Sequence, residues 1–157
     1  MDPLSSKAHQ ERAARPSSVL FLCNHNVIRS PMAEGLMRNM FGTTIYCDSA
    51  GVTAGETDPF VTAVMAEGGI DMSDHEPKEL DDLDDTWFDL VISLSPQAHH
   101  VALSMVQVDS SDVIYWPAGD PTVVQGSREQ RLEAYRDVMN SIRKQLIERF
   151  GSPSENT

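Results

Sequence analysis

The stretch "SVLFLCNHNVIRSPMAEGLMRNMF", residues 18–41, decides the fold. Its opening, "SVLFLC" (18–23), is a short, unbroken apolar run, the mark of a strand buried on both faces. In 31–41, Met32, Ala33, Leu36, Met37, Met40 and Phe41 fall on one helical face. Pro31 suits a first helical turn and Gly42 suits a stop. Between strand and helix, five residues separate Cys23 from Arg29, and Ser30 follows at once.

A loop joining a strand to a helix can turn several backbone N–H groups inward, and with the helix N-terminus they form an anion nest. The five intervening residues, Asn24, His25, Asn26, Val27 and Ile28, are about enough chain to encircle a tetrahedral oxyanion. Arg29 can close that ring with a planar fork of donors. The field that holds an anion also favours a thiolate over a thiol at Cys23. Ser30 can donate its hydroxyl to that thiolate, or later to the departing sulfur. The plain alternative is that Cys23 is a small buried hydrophobe, and a C-x5-R spacing alone is common by chance. Its position after an apolar strand and before a helix is what raises it.

Outward from this stretch the pattern alternates. Strands are expected at "TTIYCDSA" (43–50), "FDLVISLS" (88–95) and "SDVIYW" (111–116). Helices are expected at "PFVTAVMAEGG" (59–69), at "SPQAHHVALSM" (95–105) and from Ser127 to Phe150. Strands alternating with helices give an α/β fold, a parallel sheet covered on both faces, with ligands at the carboxyl ends of the strands. Cys23 ends the first strand. Residues 1–17 read as a loose arm, 18–150 as one domain and 151–157 as a frayed tail.

The chain has 157 residues, 40% of them hydrophobic, as expected for one globular core. A formal net charge of −12 argues against nucleic acid as a partner. It leaves room for a small anion, because a local cluster of amides and one Arg overrides the global sign. Cys23 and Cys47 are the only two cysteines, so neither a disulfide framework nor a cysteine metal site is expected. Residues 1–18 have no apolar core of the signal-peptide kind, and no run reaches membrane-spanning length. The expectation is a cytoplasmic protein with no membrane association, no cofactor and no metal. The adjacent His99 and His100 lack the spacing of a zinc pair and read as surface residues, and Trp87 and Trp116 read as core or pocket wall.

A thiolate attacking phosphorus needs an acid for the leaving oxygen, on another strand-end loop. "WPAGDPT" (116–122) follows the fourth expected strand and carries Asp120, with Pro121 to stiffen it. Taken alone, an Asp-Pro pair is a turn.

"VLFLCNHNVIRSPMAEG" with the later Asp-Pro resembles the low-molecular-weight protein-tyrosine-phosphatase superfamily, which includes the thioredoxin-linked arsenate reductases. The resemblance implies a three-layer sandwich: a four-stranded parallel sheet, order 2-1-3-4, with helices on both faces. It implies Cys23 as nucleophile, Arg29 as oxyanion clamp, Ser30 as donor to the thiolate and Asp120 as general acid. Asn26 matches a loop asparagine of unusual backbone conformation, partnered by the Ser of "DSAG", here Ser49. "GIDMSDH" resembles a family stretch in which the histidine, here His75, braces the loop.

Three positions depart from the phosphatase pattern: His25 where Gly is usual, Ile28 where many have a second Cys, and Thr122 where aromatic residues often line the phosphotyrosine slot. "C-x-H-N-x-x-R-S" is similar instead to the arsenate-reductase branch. Thioredoxin-linked members of that branch carry two further cysteines between the second and third strands, and residues 51–88 hold none. The expected activity is therefore a cysteine-dependent phosphomonoester hydrolase acting on a phosphotyrosyl protein or another oxyanion ester. The alternative is an arsenate reductase using an external thiol or a glutaredoxin-like partner. A catalytically silent oxyanion-binding module is the third reading, and pure binding needs neither Cys23 nor Asp120.

Overall fold

A computed structural model of the chain describes residues 16–83, 87–109 and 112–151. Most of the arm and all but the first residue of the tail lie outside them. The elements are β1 (Ser18–Cys23), α1 (Arg29–Phe41), β2 (Tyr46–Gly51), α2 (Pro59–Glu67), β3 (Leu90–Ser93), α3 (Pro96–Asp109), β4 (Asp112–Tyr115) and α4 (Arg128–Phe150). Short 3-10 turns occupy Leu80–Asp82 and Pro121–Val123.

The four strands pair in parallel in the order β2-β1-β3-β4. Every parallel pairing needs a crossover, and helices supply each one. β1 is central, and the chain steps first to one side of it and then to the other. The switch point lies between the carboxyl ends of β1 and β3, where ligands of such sheets bind. Alternate residues of β1 feed two cores. Val19, Phe21 and Cys23 join the larger one, with Met32, Leu36 and Met37 of α1, Val64 and Met65 of α2, and Ile142 and Leu146 of α4. Leu20 and Leu22 point to the smaller one, with Ala98 and Ala102 of α3. That two-sided burial is why β1 reads as unbroken apolar sequence.

Several boundaries differ from expectation. α1 begins at Arg29, two residues before Pro31, so Arg29 and Ser30 occupy its first turn. β2 begins at Tyr46 rather than Thr43, because Thr44 and Ile45 both donate N–H to Phe41 O and form the turn that leaves α1. α2 ends at Glu67, and Gly69 takes φ +79, which favours glycine. β3 and β4 are four residues each, shorter than expected. Trp87 is 54% exposed, against its expectation as core or pocket wall: alternation on entering β3 turns Phe88 inward and Trp87 outward. Trp116 packs against the larger core. His99 is not a free surface residue: it stacks on Tyr115 with centroids 4.6 Å apart, and its Nδ1 lies 2.9 Å from Ser93 Oγ. At the margin of the arm, Ser17 donates from its N–H (2.8 Å) and Oγ (2.7 Å) to Asp89 Oδ2.

Candidate active site

The loop from Cys23 to Ser30 leaves β1 at the switch point and enters α1. Its first four carbonyls are taken from outside. Cys23 O accepts from Val52 N (3.0 Å), Asn24 O from Thr53 N (2.9 Å) and His25 O from Gly55 N (3.0 Å). His75 Nε2 lies 2.9 Å from Asn26 O. Gly51 permits this approach: a Cβ there would sit 2.7 Å from Asn26 N and 2.8 Å from His25 C. With those carbonyls drawn outward, the N–H groups of Asn24 to Val27 are turned the other way, and among the described residues no N–H from Asn24 to Ser30 has an acceptor. Ile28 caps α1 without a side-chain bond, and no acid stands in its first turn. Unpaired N–H groups at a helix N-terminus, at the positive end of its dipole, favour a nearby anion.

Asn26 holds the loop in shape. It has φ +55, a left-handed conformation that asparagine tolerates better than most residues. Its side chain is fully buried. Nδ2 donates to Ser30 Oγ and to Ser49 Oγ, both at 2.9 Å, and Oδ1 accepts from Lys78 N at 3.0 Å. Ser30 Oγ in turn lies 2.9 Å from Cys23 Sγ. Thus Asn26, Ser49 and His75, distant in sequence, converge on one loop.

The remaining loop side chains point away from its centre. Asn24 Oδ1 accepts from Ser95 Oγ (2.6 Å), His25 Nδ1 lies 2.9 Å from Thr53 Oγ1, Val27 packs on Gly55 and Ile28 on the larger core. Any contact of Asn24, His25, Val27 or Ile28 with a bound oxyanion would come from the backbone. Arg29 donates Nη1 to Ala118 O at 3.2 Å, which ties the loop to the segment carrying Asp120.

Asp120 caps the 3-10 turn that follows it: Oδ1 accepts from Thr122 N (2.9 Å) and from Thr122 Oγ1 (2.6 Å). The turn reading of Asp-Pro is therefore realised, and Oδ2 is left over. Partial burial acts to raise the Asp120 pKa, but both Thr122 bonds and the nearby Arg29 guanidinium, with His25 acting in the same direction, outweigh it and hold it below the usual carboxylate value. The sequence reading missed Thr53, Ser95 and Thr122 as braces. Only Thr122 had a local signal, as a hydroxyl two residues after an aspartate in a turn.

Cys47 is buried in β2, and burial pushes its thiol up to about 12. Pairing sets Val19 beside Cys47 and Cys23 beside Gly51, four positions further along. That offset is about 13 Å of strand, roughly twice the Cα separation a disulfide spans. Among the described residues no group of three or more His, Cys, Asp or Glu side chains could hold a metal ion, and no helix is long and apolar enough to cross a membrane.

A family profile described as low molecular weight phosphotyrosine protein phosphatase matches residues 18–152. The chain is 29% identical over 128 residues to an arsenate reductase of Halalkalibacterium halodurans, covering 82% of this chain and 91% of that one. It is 37% identical over 65 residues to the probable low molecular weight protein-tyrosine-phosphatase EpsP of Ralstonia solanacearum, covering 40% of this chain and 45% of that one. The solved structure of an arsenate reductase in the phosphate binding state superposes with a TM-score of 0.70 at 26% identity, covering 90% of this chain and 99% of that one.

Proposed function

Since the chain belongs to the low molecular weight phosphotyrosine protein phosphatase family, we propose that it is a cysteine-dependent phosphomonoester hydrolase working through a cysteinyl-phosphate. One observation carries this reading: among the described residues, the N–H groups from Asn24 to Ser30 have no acceptor, in the loop that starts at Cys23 and carries Arg29. Donors so arranged can serve the equatorial oxygens of a phosphoryl group in flight.

In the first step the Cys23 thiolate attacks phosphorus. The P–O bond to the alcohol or phenol breaks, and Asp120 Oδ2–H protonates the departing oxygen. Bound phosphate offsets the Arg29 charge, removing one of the causes that keep Asp120 ionised in the free protein. In the second step Asp120 takes a proton from water, the water oxygen attacks phosphorus, and the P–S bond breaks. Ser30 Oγ, 2.9 Å from Sγ, stabilises the thiolate as attacker and as leaving group. Phosphotyrosine is the proposed substrate, after the phosphotyrosine phosphatases that give the family its name.

The test is Cys23→Ser. It should keep phosphate binding and lose turnover, because an alkoxide is far scarcer than a thiolate at neutral pH. Native Cys23 should react with iodoacetamide below pH 7 and be protected by millimolar phosphate. Substantial hydrolysis by Cys23→Ser removes Cys23 from its role.

A second reading has its own support: the similarity to an arsenate reductase spans 82% of the chain. There Cys23 displaces hydroxide from arsenate. A second thiolate then attacks the cysteine sulfur, arsenite leaves with the electron pair, and a mixed disulfide remains for a further thiol to reduce. Cys47, buried and about four strand positions from Cys23, is poorly suited to be that thiol. The thiols would come from a low-molecular-weight thiol or a glutaredoxin-like partner.

A further inference from the structure

A continuous run of hydrogen bonds starts at the nucleophile and ends at the protein surface. Cys23 Sγ lies 2.9 Å from Ser30 Oγ, Ser30 Oγ accepts from Asn26 Nδ2 at 2.9 Å, and the same Nδ2 donates to Ser49 Oγ at 2.9 Å. Ser49 Oγ donates to Glu34 Oε1 at 2.6 Å, and Glu34 Oε2 accepts from Arg38 Nη1 at 2.6 Å. Ser30, Asn26 and Ser49 are fully buried, and Glu34 is 5% exposed. Arg38 is held in turn by Nη2 donating to Cys47 O at 3.2 Å.

With Cys23 as the thiolate, the donors and acceptors along this run admit one arrangement. Lys78 N can only donate, so Asn26 must present Oδ1 to it and Nδ2 to both serines. Each serine then accepts one amide hydrogen and must send its own elsewhere. The Ser30 hydroxyl has Cys23 Sγ at 2.9 Å and Ala50 O only at the limit of 3.5 Å. The Ser49 hydroxyl has Glu34 Oε1. Two terminal acceptors, a sulfur and a carboxylate, thus draw hydrogens from opposite ends of one amide. Without the carboxylate, Ser49 keeps a buried hydrogen with no acceptor, and its oxygen is no longer a clean acceptor for Asn26.

We propose that Glu34 is a positioning residue for the reaction: as terminal acceptor for Ser49 it holds Asn26 and Ser30 in the one hydrogen-bonding arrangement that delivers the Ser30 hydroxyl to the Cys23 sulfur. Arg38 pairs with the carboxylate at 2.6 Å and aims it. The proposal rests on the reading of Cys23 as nucleophile. Among the described residues, the charged groups near the run include Asp48 and Lys78, joined at 2.8 Å, His75 on Asn26 O, and Asp71, Asp74, Glu76 and Asp82, which line the same cavity as Glu34 and Arg38. The variants below leave all of them in place.

The readout is the rate of Cys23 alkylation by iodoacetamide at pH 6, as a fraction of its alkaline plateau. Cys47 stays silent because its thiol is pushed up to about 12. Two double variants isolate the acceptor. In Glu34→Gln with Arg38→Met the amide oxygen has no guanidinium to compete for it and can accept from Ser49. In Glu34→Leu with Arg38→Met nothing can. The leucine protein should keep a roughly tenfold smaller fraction at pH 6 than the glutamine protein, the worth of one hydrogen bond to a charged group. Its kcat/KM on an aryl phosphate should fall with it. Glu34→Gln alone should behave like the leucine protein, because Arg38 claims the amide oxygen and turns its NH2 toward Ser49. Equal fractions in the two double variants overturn the role of Glu34, whatever their melting temperatures, since a merely structural loss does not move this ratio. Ser49→Ala breaks the run one link nearer and should lose the same fraction. A Ser49→Ala protein alkylated like the unmutated one overturns the proposal even where the leucine variant does not fold. An unmutated protein with no alkylation at pH 6 and no protection by phosphate overturns the nucleophile reading, and this proposal with it.

Discussion

Asp120→Asn separates proton delivery from loop structure, because Asn keeps what Asp120 does for the fold. Both bonds that Asp120 accepts, from Thr122 N and Thr122 Oγ1, arrive at Oδ1, and the carboxamide oxygen can accept the same pair. The segment is also held by Ala118 N on Leu94 O at 3.1 Å and by Arg29 Nη1 on Ala118 O at 3.2 Å. Only Oδ2 changes, from an oxygen that can carry a proton to an NH2 that cannot give one up. The expected loss is therefore that of general-acid help alone, about 10²–10⁴ in the chemical step, or roughly 2.7–5.4 kcal/mol. The assay is a series of aryl phosphates from nitrophenols to unsubstituted phenol, read as single turnovers so that dephosphorylation of Cys23 does not hide the step. An acidic phenol departs as its anion and needs little help, so the defect should be small at that end and should grow steeply toward phenol. A defect flat across the series, alongside robust thiol-dependent arsenite production by the unmutated protein, would refute the acid's role and reverse the order of the two enzymatic readings.

Thr122→Val removes one of the bonds that lower the Asp120 pKa, so that pKa rises. The leaving-group step needs the protonated acid, and its alkaline limb should move to higher pH; an unmoved single-turnover profile would take Asp120 out of the step. Asn26→Gly and Asn26→Ala both lose three side-chain hydrogen bonds, with an expected cost of about 1.5–4.5 kcal/mol in urea unfolding. The alanine variant should be the weaker by about 1 kcal/mol, because φ +55 burdens a Cβ and not glycine; equal stabilities would remove the backbone-strain account. Cys47, pushed up to about 12 by burial, keeps its proton in the folded chain while the unfolded chain loses it near about 8.5. Over that window the unfolded state binds fewer protons, so stability falls as pH rises, by up to about 1.4 kcal/mol per unit. Cys47→Ala should lose that part of the alkaline slope, and an identical slope in both proteins would show that the thiol is not the cause.

Residues 18–41 alone determined the frame, for a physical reason. A strand covered on both faces must be apolar throughout, and a helix packed on one side must repeat every 3.6 residues. Both constraints act along the chain and are visible in it. The spacing of Cys23, Arg29 and Ser30 is equally local, because one loop supplies the proposed nucleophile, clamp and hydroxyl. The sheet order 2-1-3-4, Asn26, Ser49 and His75 came from likeness to a family, not from periodicity; Asp120 stood out as an acid on a strand-end loop, and the likeness implied its role. Composition and spacing assign no partner to a residue 20 or 50 positions away. Only the tertiary structure decided which way the loop amides point, because that depends on Val52, Thr53 and Gly55 taking its carbonyls from the far side. The same holds for Glu34. In sequence it is one more acid in a chain of formal charge −12; in the fold it is buried beneath Ser49, and the cation that pairs with it, Arg38, is a turn away on α1. A buried charge must be paired, and which residues meet to pair it is settled by packing between elements, where the linear order of the chain carries no record of the distance.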